Sequence, residues 1–205
     1  MIGQEVIDRV RTIMGDKGEA LFQSDEALLW IDSACGDISK RTLCLPTHSE
    51  TDSVANDYSY ELPADYAAIR KVTFDGVGLR KTTVDDMDMY YPDREVNIIT
   101  GVPQYFWVQT SMLMLYPAAS SNGSGNLDIY YARTSALLED ADSEIDLPVR
   151  FQRLVELYTL AKAKELAEDY TVAQAYWIDY EKQLIIASGD LEDQYMDSYP
   201  AVREV

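Results

Sequence analysis

The sequence predicts an α+β protein, in which N- and C-terminal helices form a helical bundle and an antiparallel β domain is inserted between them. Two patterns predict this class. Apolar residues recur at three- and four-residue steps near both ends of the chain, as in amphipathic helices. They alternate at two-residue steps through the middle third, as in half-buried strands. The chain has 205 residues and is 47% hydrophobic, which is enough to build a substantial core.

Two helices are predicted in residues 1–46, the first part of the helical body. Apolar side chains at helical spacing predict a helix over 3–14, which Gly15 ends. Ser24 is suited to the N-cap of a second helix, because two acids follow it in the first turn, where the helix dipole favours negative charge. Pro46 then ends this helical pair.

The inserted β domain is predicted over residues 58–133, after a polar loop over 47–57. The period of apolar residues changes to two at Tyr58. Asp75-Gly76 lies between two apolar runs and predicts a tight hairpin turn, because both residues tolerate positive φ angles. Further elements are expected, giving roughly five to seven strands. They are a short helix over 84–92, strands around 104–109 and 112–116, and a final strand in "NLDIYYAR".

A C-terminal helical pair is predicted over residues 147–188, the second part of the helical body. Pro148 suits the first turn of a helix, where its missing N–H is not needed. A break at 168–171 separates the first helix from a second that ends near 187, and helices joined this closely should pack antiparallel. Residues 189–205 are rich in acids and tyrosines, and they are predicted to form an acidic arm.

An acidic run lies in the segment 134–147, which is predicted to be a hinge between the β domain and the helices. Its carboxylates alternate along the chain as Glu139, Asp140, Asp142, Glu144 and Asp146. A calcium-binding EF-hand loop requires Gly at position 6 and Glu at position 12. Counted from Asp140, those positions hold Ile145 and Phe151. The run therefore fits a solvated linker better than a calcium loop, and cation binding stays open.

The charge of the chain argues against nucleic-acid binding. Asp and Glu number 36 against 17 Lys and Arg, for a net charge of −19 and a pI near 4.2. Contact with phosphates needs basic side chains that displace counterions. Three interpretations fit an acidic chain: a solubilising surface, a DNA mimic, or the wall of a passage to which DNA must not adhere.

The sequence predicts no catalytic residues, no metal site and no cofactor. His48 is the one histidine, and it lies in a polar stretch without a GxSxG nucleophile motif. Cys35 and Cys44 have neither zinc nor CxxC spacing, and we expect two buried free thiols rather than a disulfide. Phosphate-binding motifs of the GxxxxGK[ST] and GxGxxG types do not occur. Asp85, Asp86 and Asp88 are expected to lie on a solvated helix face.

Fifteen tyrosines are present, and tyrosine suits subunit interfaces because it combines a large contact area with a polar tip. A β-layer rich in aromatic residues would explain many of them equally well. Four lie outside the clear strands and are candidates for interface contacts: Tyr90, Tyr91, Tyr195 and Tyr199.

An ordered series of motifs resembles the tailed-bacteriophage head-to-tail adaptor (connector) proteins. The series runs from "SDEALLWIDSA" to about residue 188. It continues through "YSYELPADYAAIRKVTFDGVGLRK", "GVPQYFWVQTSMLMLYPAA" and "LDIYYARTSALLEDADSEIDLP". Each motif is weak alone, and their order carries the resemblance. Ser135 replaces a proline that often follows the last strand in these proteins.

The resemblance implies a non-enzymatic virion protein of the neck, made in the host cytoplasm. Its copies would form a ring, typically a dodecamer, between the portal protein and a tail or nozzle protein. Genomic DNA would pass through without specific binding during ejection, and no membrane would be involved. The residues expected at the subunit interface are Phe151, Tyr158, Trp177 and Tyr180. Those expected to bind the portal are Leu191, Tyr195, Met196 and Tyr199.

Two other functions remain open at this point. An acidic DNA mimic that inhibits a nuclease or DNA-binding protein would also be small, acidic and free of catalytic groups. A carboxylate-dependent hydrolase would use the aspartates near 85–88 or 140–146. Assembly into rings separates the adaptor from the mimic, and metal-dependent turnover would identify the hydrolase.

Overall fold

The computed structural model describes residues 1–16, 21–94 and 97–196, and it is a mixed α+β structure, as predicted. The chain divides into two compact units. The helical unit comprises Met1–Leu45 together with the chain from Thr134 onward, and the β unit comprises Pro46–Arg133.

Five helices lie in the described ranges. They are α1 (Gly3–Met14), α2 (Ser24–Thr42), α3 (Val84–Tyr90), α4 (Gln152–Leu166) and α5 (Tyr170–Met196). The two N-terminal helices begin and end close to their predicted bounds. Gly15 has a φ of 74° and donates its N–H to carbonyls of the last turn of α1, so it caps that helix as expected. α5 runs through Met196, well beyond the predicted end near 187, so the first part of the predicted arm is helical.

The helical unit is built around α4, which packs against α1, α2 and α5, while α5 also contacts α2. A single 3₁₀ turn (Val149–Phe151) leads into α4. One apolar core joins these helices. Its fully buried members include Val6, Ile7 and Val10 of α1, Ala27, Ile31 and Ile38 of α2, Leu154, Val155 and Leu157 of α4, and Tyr180 and Leu184 of α5.

The segment 134–147, here called the strap, packs on the helical unit, so the prediction of a solvated linker is wrong, and a hinge between the two units stays a prediction. The backbone N–H of Leu138 donates to the Asp32 carboxylate on α2 at 2.8 Å, and that of Ser135 donates to the Ser39 hydroxyl at 3.1 Å. Further along, Glu144 forms an antiparallel bridge with Ile2. The strap holds its place because its apolar residues Ile145 and Leu147 are buried in the helical core, whereas the acids from Glu139 to Glu144 are exposed.

The β unit contains ten strand segments in the described ranges. They are β1 (Pro46–Ser53), β2 (Ser59–Glu61), β3 (Tyr66–Phe74), β4 (Val77–Gly78), β5 (Arg80–Lys81), β6 (Thr100–Gly101), β7 (Tyr105–Gln109), β8 (Met112–Tyr116), β9 (Ala118–Ala119) and β10 (Gly123–Arg133). They form sheets of order β1-β10-β3-β4 and β2-β8-β7-β5, and a small β6-β9 pair. The long pairs are antiparallel, as predicted, whereas two-residue β5 and β6 pair in parallel with β7 and β9.

Both four-stranded sheets contribute side chains to one core. Val72, Phe74, Leu127 and Ile129 come from the first sheet, and Phe106, Leu113 and Leu115 come from the second. The predicted hairpin turn is present between β3 and β4. Asp75 and Gly76 have φ angles of 49° and 76°, the paired positive values that this turn requires.

The polar loop predicted over 47–57 is wrong for its first part, because β1 occupies Pro46–Ser53. This strand lies at the edge of its sheet and pairs along its length with β10. An edge strand needs little apolar surface of its own, since only one neighbour covers it. Its Thr and Ser residues therefore form a strand where a sequence pattern indicates a loop.

Candidate interaction surfaces

His48 lies on β1 and stacks on Tyr130 of β10, with ring centroids 5.9 Å apart. Within the described ranges, no group of three or more His, Cys, Asp or Glu side chains is placed to hold a metal ion. None of the helices in the part of the chain that the structure describes combines the length and apolar character needed to cross a membrane.

The two cysteines are free and buried in the helical unit, as predicted. Burial raises the pKa of the Cys35 thiol to about 12, and nearby Asp32 and Asp146 add to this effect. Burial likewise raises the pKa of Cys44. Both thiols are therefore protonated and shielded, which suits a structural role in the core.

Three of the four residues predicted at the subunit interface, Tyr158, Trp177 and Tyr180, pack together where α4 meets α5, and Phe151 lies in the core at the turn before α4. Tyr158 packs edge-on against Trp177 and Tyr180, with ring centroids 4.8 and 5.5 Å apart. Phe151 and Tyr180 are 0% and 1% exposed, so the helical unit itself covers their surfaces. Tyr158 and Trp177 are partly exposed. A role for the four between subunits stays a prediction, and only Tyr158 and Trp177 retain surface for it.

Polar contacts fix α5 against α2 and α4. The guanidinium group of Arg41 on α2 donates two hydrogen bonds, of 2.8 and 2.7 Å, to the Glu181 carboxylate on α5. These bonds hold the pKa of Glu181 below its usual value. The indole N–H of Trp177 donates to Glu165 of α4 at 2.7 Å, and Lys162 pairs with the same carboxylate at 3.0 Å.

The candidate interface tyrosines and portal-binding residues are only partly described. Tyr90 and Tyr91, at the end of α3, are 68% and 37% exposed, as an interface role requires. Leu191, Tyr195 and Met196 lie at backbone positions of the last turns of α5. Tyr199 lies outside the described residues.

A second apolar surface on α5 escaped the sequence interpretation. Ile178, Ile185 and Ile186 are 48%, 67% and 65% exposed, although isoleucine is among the residues most often buried. They lie about 80–180° around the helix from Trp177 and Leu184, which pack on the helical core. With Lys182 between them in sequence, these isoleucines form what we call the α5 outer face. The seven-residue step from Ile178 to Ile185 could have revealed this second stripe.

The β unit also exposes apolar side chains. Met89 and Tyr90 project from α3, and Ile98, Ile99 and Val102 lie on the segment before β7. A cavity of about 290 Å³ opens nearby, lined by residues that include Tyr91, Pro92, Ile99 and Tyr116. Exposed aromatic and methionine side chains of this kind are enriched at protein interfaces.

Nearly the whole chain is similar to one family of known proteins. The sequence profile of the SU10 adaptor protein family matches residues 1–203, nearly the whole chain. The chain belongs to this family of phage head-to-tail adaptors. The resemblance found from the ordered motifs is thereby confirmed, and this adaptor is a structural protein of the phage virion. No curated protein sequence matches the chain at a significant level.

Proposed function

We propose that this adaptor assembles as a ring, typically a dodecamer, in the neck of the virion between the portal protein and a tail or nozzle protein. The ring extends the channel through which DNA leaves the head. The match of the SU10 adaptor family across residues 1–203 carries this proposal. The helical unit forms the bundle that makes the ring, and the β unit points outward or toward the tail.

The charge distribution supports a channel that does not retain DNA. The net charge is −19, and four arginines among the 17 basic side chains are already paired with acids. The pairs are Arg9 and Arg153 with Glu156, Arg41 with Glu181, and Arg94 with Asp88. A guanidinium group held by a carboxylate is less available to a phosphate, so passing DNA meets repulsion rather than a binding site.

The end of the chain supports portal binding. Leu191, Tyr195 and Met196 belong to the same continuous helix as Tyr180 and Leu184, which are buried in the helical core. A helix transmits the position of its buried part to its far end, so the portal contact is linked to the body of the ring. Tyr199 follows within the same segment of sequence.

Co-sedimentation with purified portal rings tests this function. We expect the full chain to sediment with the portal and to appear as a ring by electron microscopy. A variant with Leu191, Tyr195, Met196 and Tyr199 changed to alanine should stay folded and lose portal binding. The matched control changes the acids Asp190, Glu192 and Asp193 to their amides and should still bind.

Three outcomes would contradict the proposal. Normal co-sedimentation of the alanine variant with portal rings would contradict the proposed C-terminal contact. A chain that never forms rings, with or without portal, would remove the ring. Displacement of DNA from a nuclease by a monomeric chain would identify a DNA mimic instead.

A further inference from the structure

We propose that the α5 outer face of one adaptor copy docks onto the strap side of the next copy, around Leu29, Leu137 and Glu139. The inference rests on the proposed ring and identifies the contact between its subunits. The three residues on the strap side are called the strap face below.

No described residue of the same subunit covers the α5 outer face. Leu184 is 1% exposed, whereas its neighbours Ile185 and Ile186 are about two-thirds exposed, so consecutive apolar residues lie on different sides of one helix. At 1.5 Å per residue, the 27 residues of α5 span roughly 40 Å, against roughly 22 Å for the 15 residues of its antiparallel partner α4. The C-terminal part of α5 therefore extends past the helix that covers its N-terminal part.

The strap face is a second apolar surface of the helical unit that its described residues leave uncovered. Leu137 is 80% exposed and Leu29 on α2 is 66% exposed. The hydrogen bond from the Leu138 N–H to Asp32 brings the strap to α2 one helical turn from Leu29. Glu139 is also exposed, and Asp140, Asp142 and Glu144 continue the exposed acids along the strap.

The strap and α5 contact opposite sides of α2. Asp37 and Arg41 point to α5, where they bind Tyr180 and Glu181. Asp32 and Ser39 point to the strap. At about 100° per residue, the first pair lies roughly 140–180° around the helix from the second. A subunit with complementary surfaces on opposite sides associates head to tail, and such heterologous contacts generate closed rings when the rotation closes.

The opposite charges of the two faces indicate that a second copy of the chain covers the α5 outer face. Lys182 is exposed among the isoleucines and makes no ion pair within the described part of the chain. The strap face offers an apolar side chain in Leu137 beside a carboxylate in Glu139, which matches isoleucine beside an ammonium group. Pairing a lysine with the acidic strap also reduces the repulsion between copies that each carry a charge of −19.

Engineered disulfides in the full-length chain test the contact. The native thiols of Cys35 and Cys44 are buried and stay silent under mild oxidation. A chain carrying both Ile185→Cys and Leu137→Cys should give a ladder of cross-linked multimers, on its own or on portal rings. A chain with only one of these changes should not. The matched control pairs Ile185→Cys with Val77→Cys, an exposed position of the β unit, and should give no ladder.

The outcomes separate this inference from the proposed function. Rings seen by electron microscopy without a ladder would overturn the contact and leave the ring. Dimers formed by Ile185→Cys alone would show α5 faces meeting each other and would also overturn it. Absence of both rings and ladders would overturn the contact and the ring together.

Charge reversal provides a second readout. Lys182→Glu should weaken subunit association about fivefold, because it replaces attraction to the strap with repulsion. Adding Glu139→Lys should restore most of that loss. Lys81→Glu in the β unit changes the net charge equally and should have no comparable effect. Failure of the double variant to recover association would count against the proposed contact even if each single variant is weakened.

Discussion

The phenolic hydroxyl of Tyr180 on α5 donates a hydrogen bond of 2.5 Å to the carboxylate of Asp37 on α2. The ring of Tyr180 is almost fully buried, while Asp37 is partly exposed beside Arg41. Burial raises the pKa of the Tyr180 hydroxyl, and the bond to Asp37 raises it further, so Tyr180 remains a proton donor across the physiological range. The helix that bears the α5 outer face is thus fixed to the subunit by this bond as well as by packing.

Tyr180→Phe should lower the free energy of unfolding by about 1–3 kcal/mol, because it removes a hydrogen bond to a charged acceptor while preserving the ring. Urea denaturation measures the change. Tyr158→Phe is the matched control, since the Tyr158 hydroxyl has no hydrogen bond within the described residues. This change should lower the free energy of unfolding by less than Tyr180→Phe does. Equal losses in the two variants would show that the Asp37 bond adds nothing.

Leu184→Ala should reduce the stability of the subunit, whereas Ile185→Ala should weaken assembly. The first creates a cavity in the helical core and should cost about 2–5 kcal/mol of unfolding free energy. The second removes exposed surface and should change that free energy by no more than about 0.5 kcal/mol. Assembly, measured by analytical ultracentrifugation, should weaken in Ile185→Ala at unchanged stability. A large loss of stability in Ile185→Ala would contradict the exposed position of this side chain.

The ion pair between Arg41 and Glu181 should stabilise the protein only above the acidic range. The pKa of Glu181 is lower in the folded chain than its ordinary value of 4.5, so the stabilisation is complete above that value. It is lost as the pH falls through the folded-state pKa. Both side chains are more than a third exposed, which limits the contribution to below about 1 kcal/mol.

Glu181→Gln should therefore reduce stability near neutral pH and make no difference well below the folded-state pKa. Thermal unfolding across this range provides the measurement. Asp179→Asn, an exposed neighbour without an ion pair in the described residues, is the control for the loss of one charge. A constant difference between Glu181→Gln and the unmodified chain at every pH would contradict the linkage.

The thiols of Cys35 and Cys44 should react with a thiol reagent only when the helical unit opens. Burial both excludes the reagent and keeps the thiols protonated, as the raised pKa of Cys35 indicates. The rate of modification in the native protein should therefore follow the opening equilibrium, and urea should accelerate it steeply. Val77→Cys in the exposed part of the β unit should react at once. Immediate reaction of both native cysteines would contradict their burial.

The sequence predicts helices and turns correctly where the periodicity of apolar residues matches the side chains that are buried. The helices α1 and α2 and the hairpin at Asp75-Gly76 were predicted correctly, because local patterns and turn chemistry determine them. β1 was missed because a polar edge strand has no apolar alternation to detect. The end of α5 was missed because Gly189 and the acids after it resemble the end of a helix, although the helix continues.

The candidate interface could be predicted less well, because exposure depends on which helices pack together. Tyr180 has the size and polarity of an interface residue, yet its ring lies in the subunit core. Ile185 has the character of a core residue, yet it faces outward. The acids of the strap hide the apolar residues between them, so the sequence does not reveal the contacts with α2 and the N-terminal residues that hold the strap in place.

Pro46 and Ala132 are paired across neighbouring strands, where the chain enters and leaves the β unit. Its two junctions with the rest of the polypeptide are therefore separated by roughly the 5 Å between adjacent strands. A segment with such closely spaced ends can be exchanged: another domain with neighbouring termini can replace it without distorting the chain on either side. Recombination between phages could exchange the β unit while retaining the helical body.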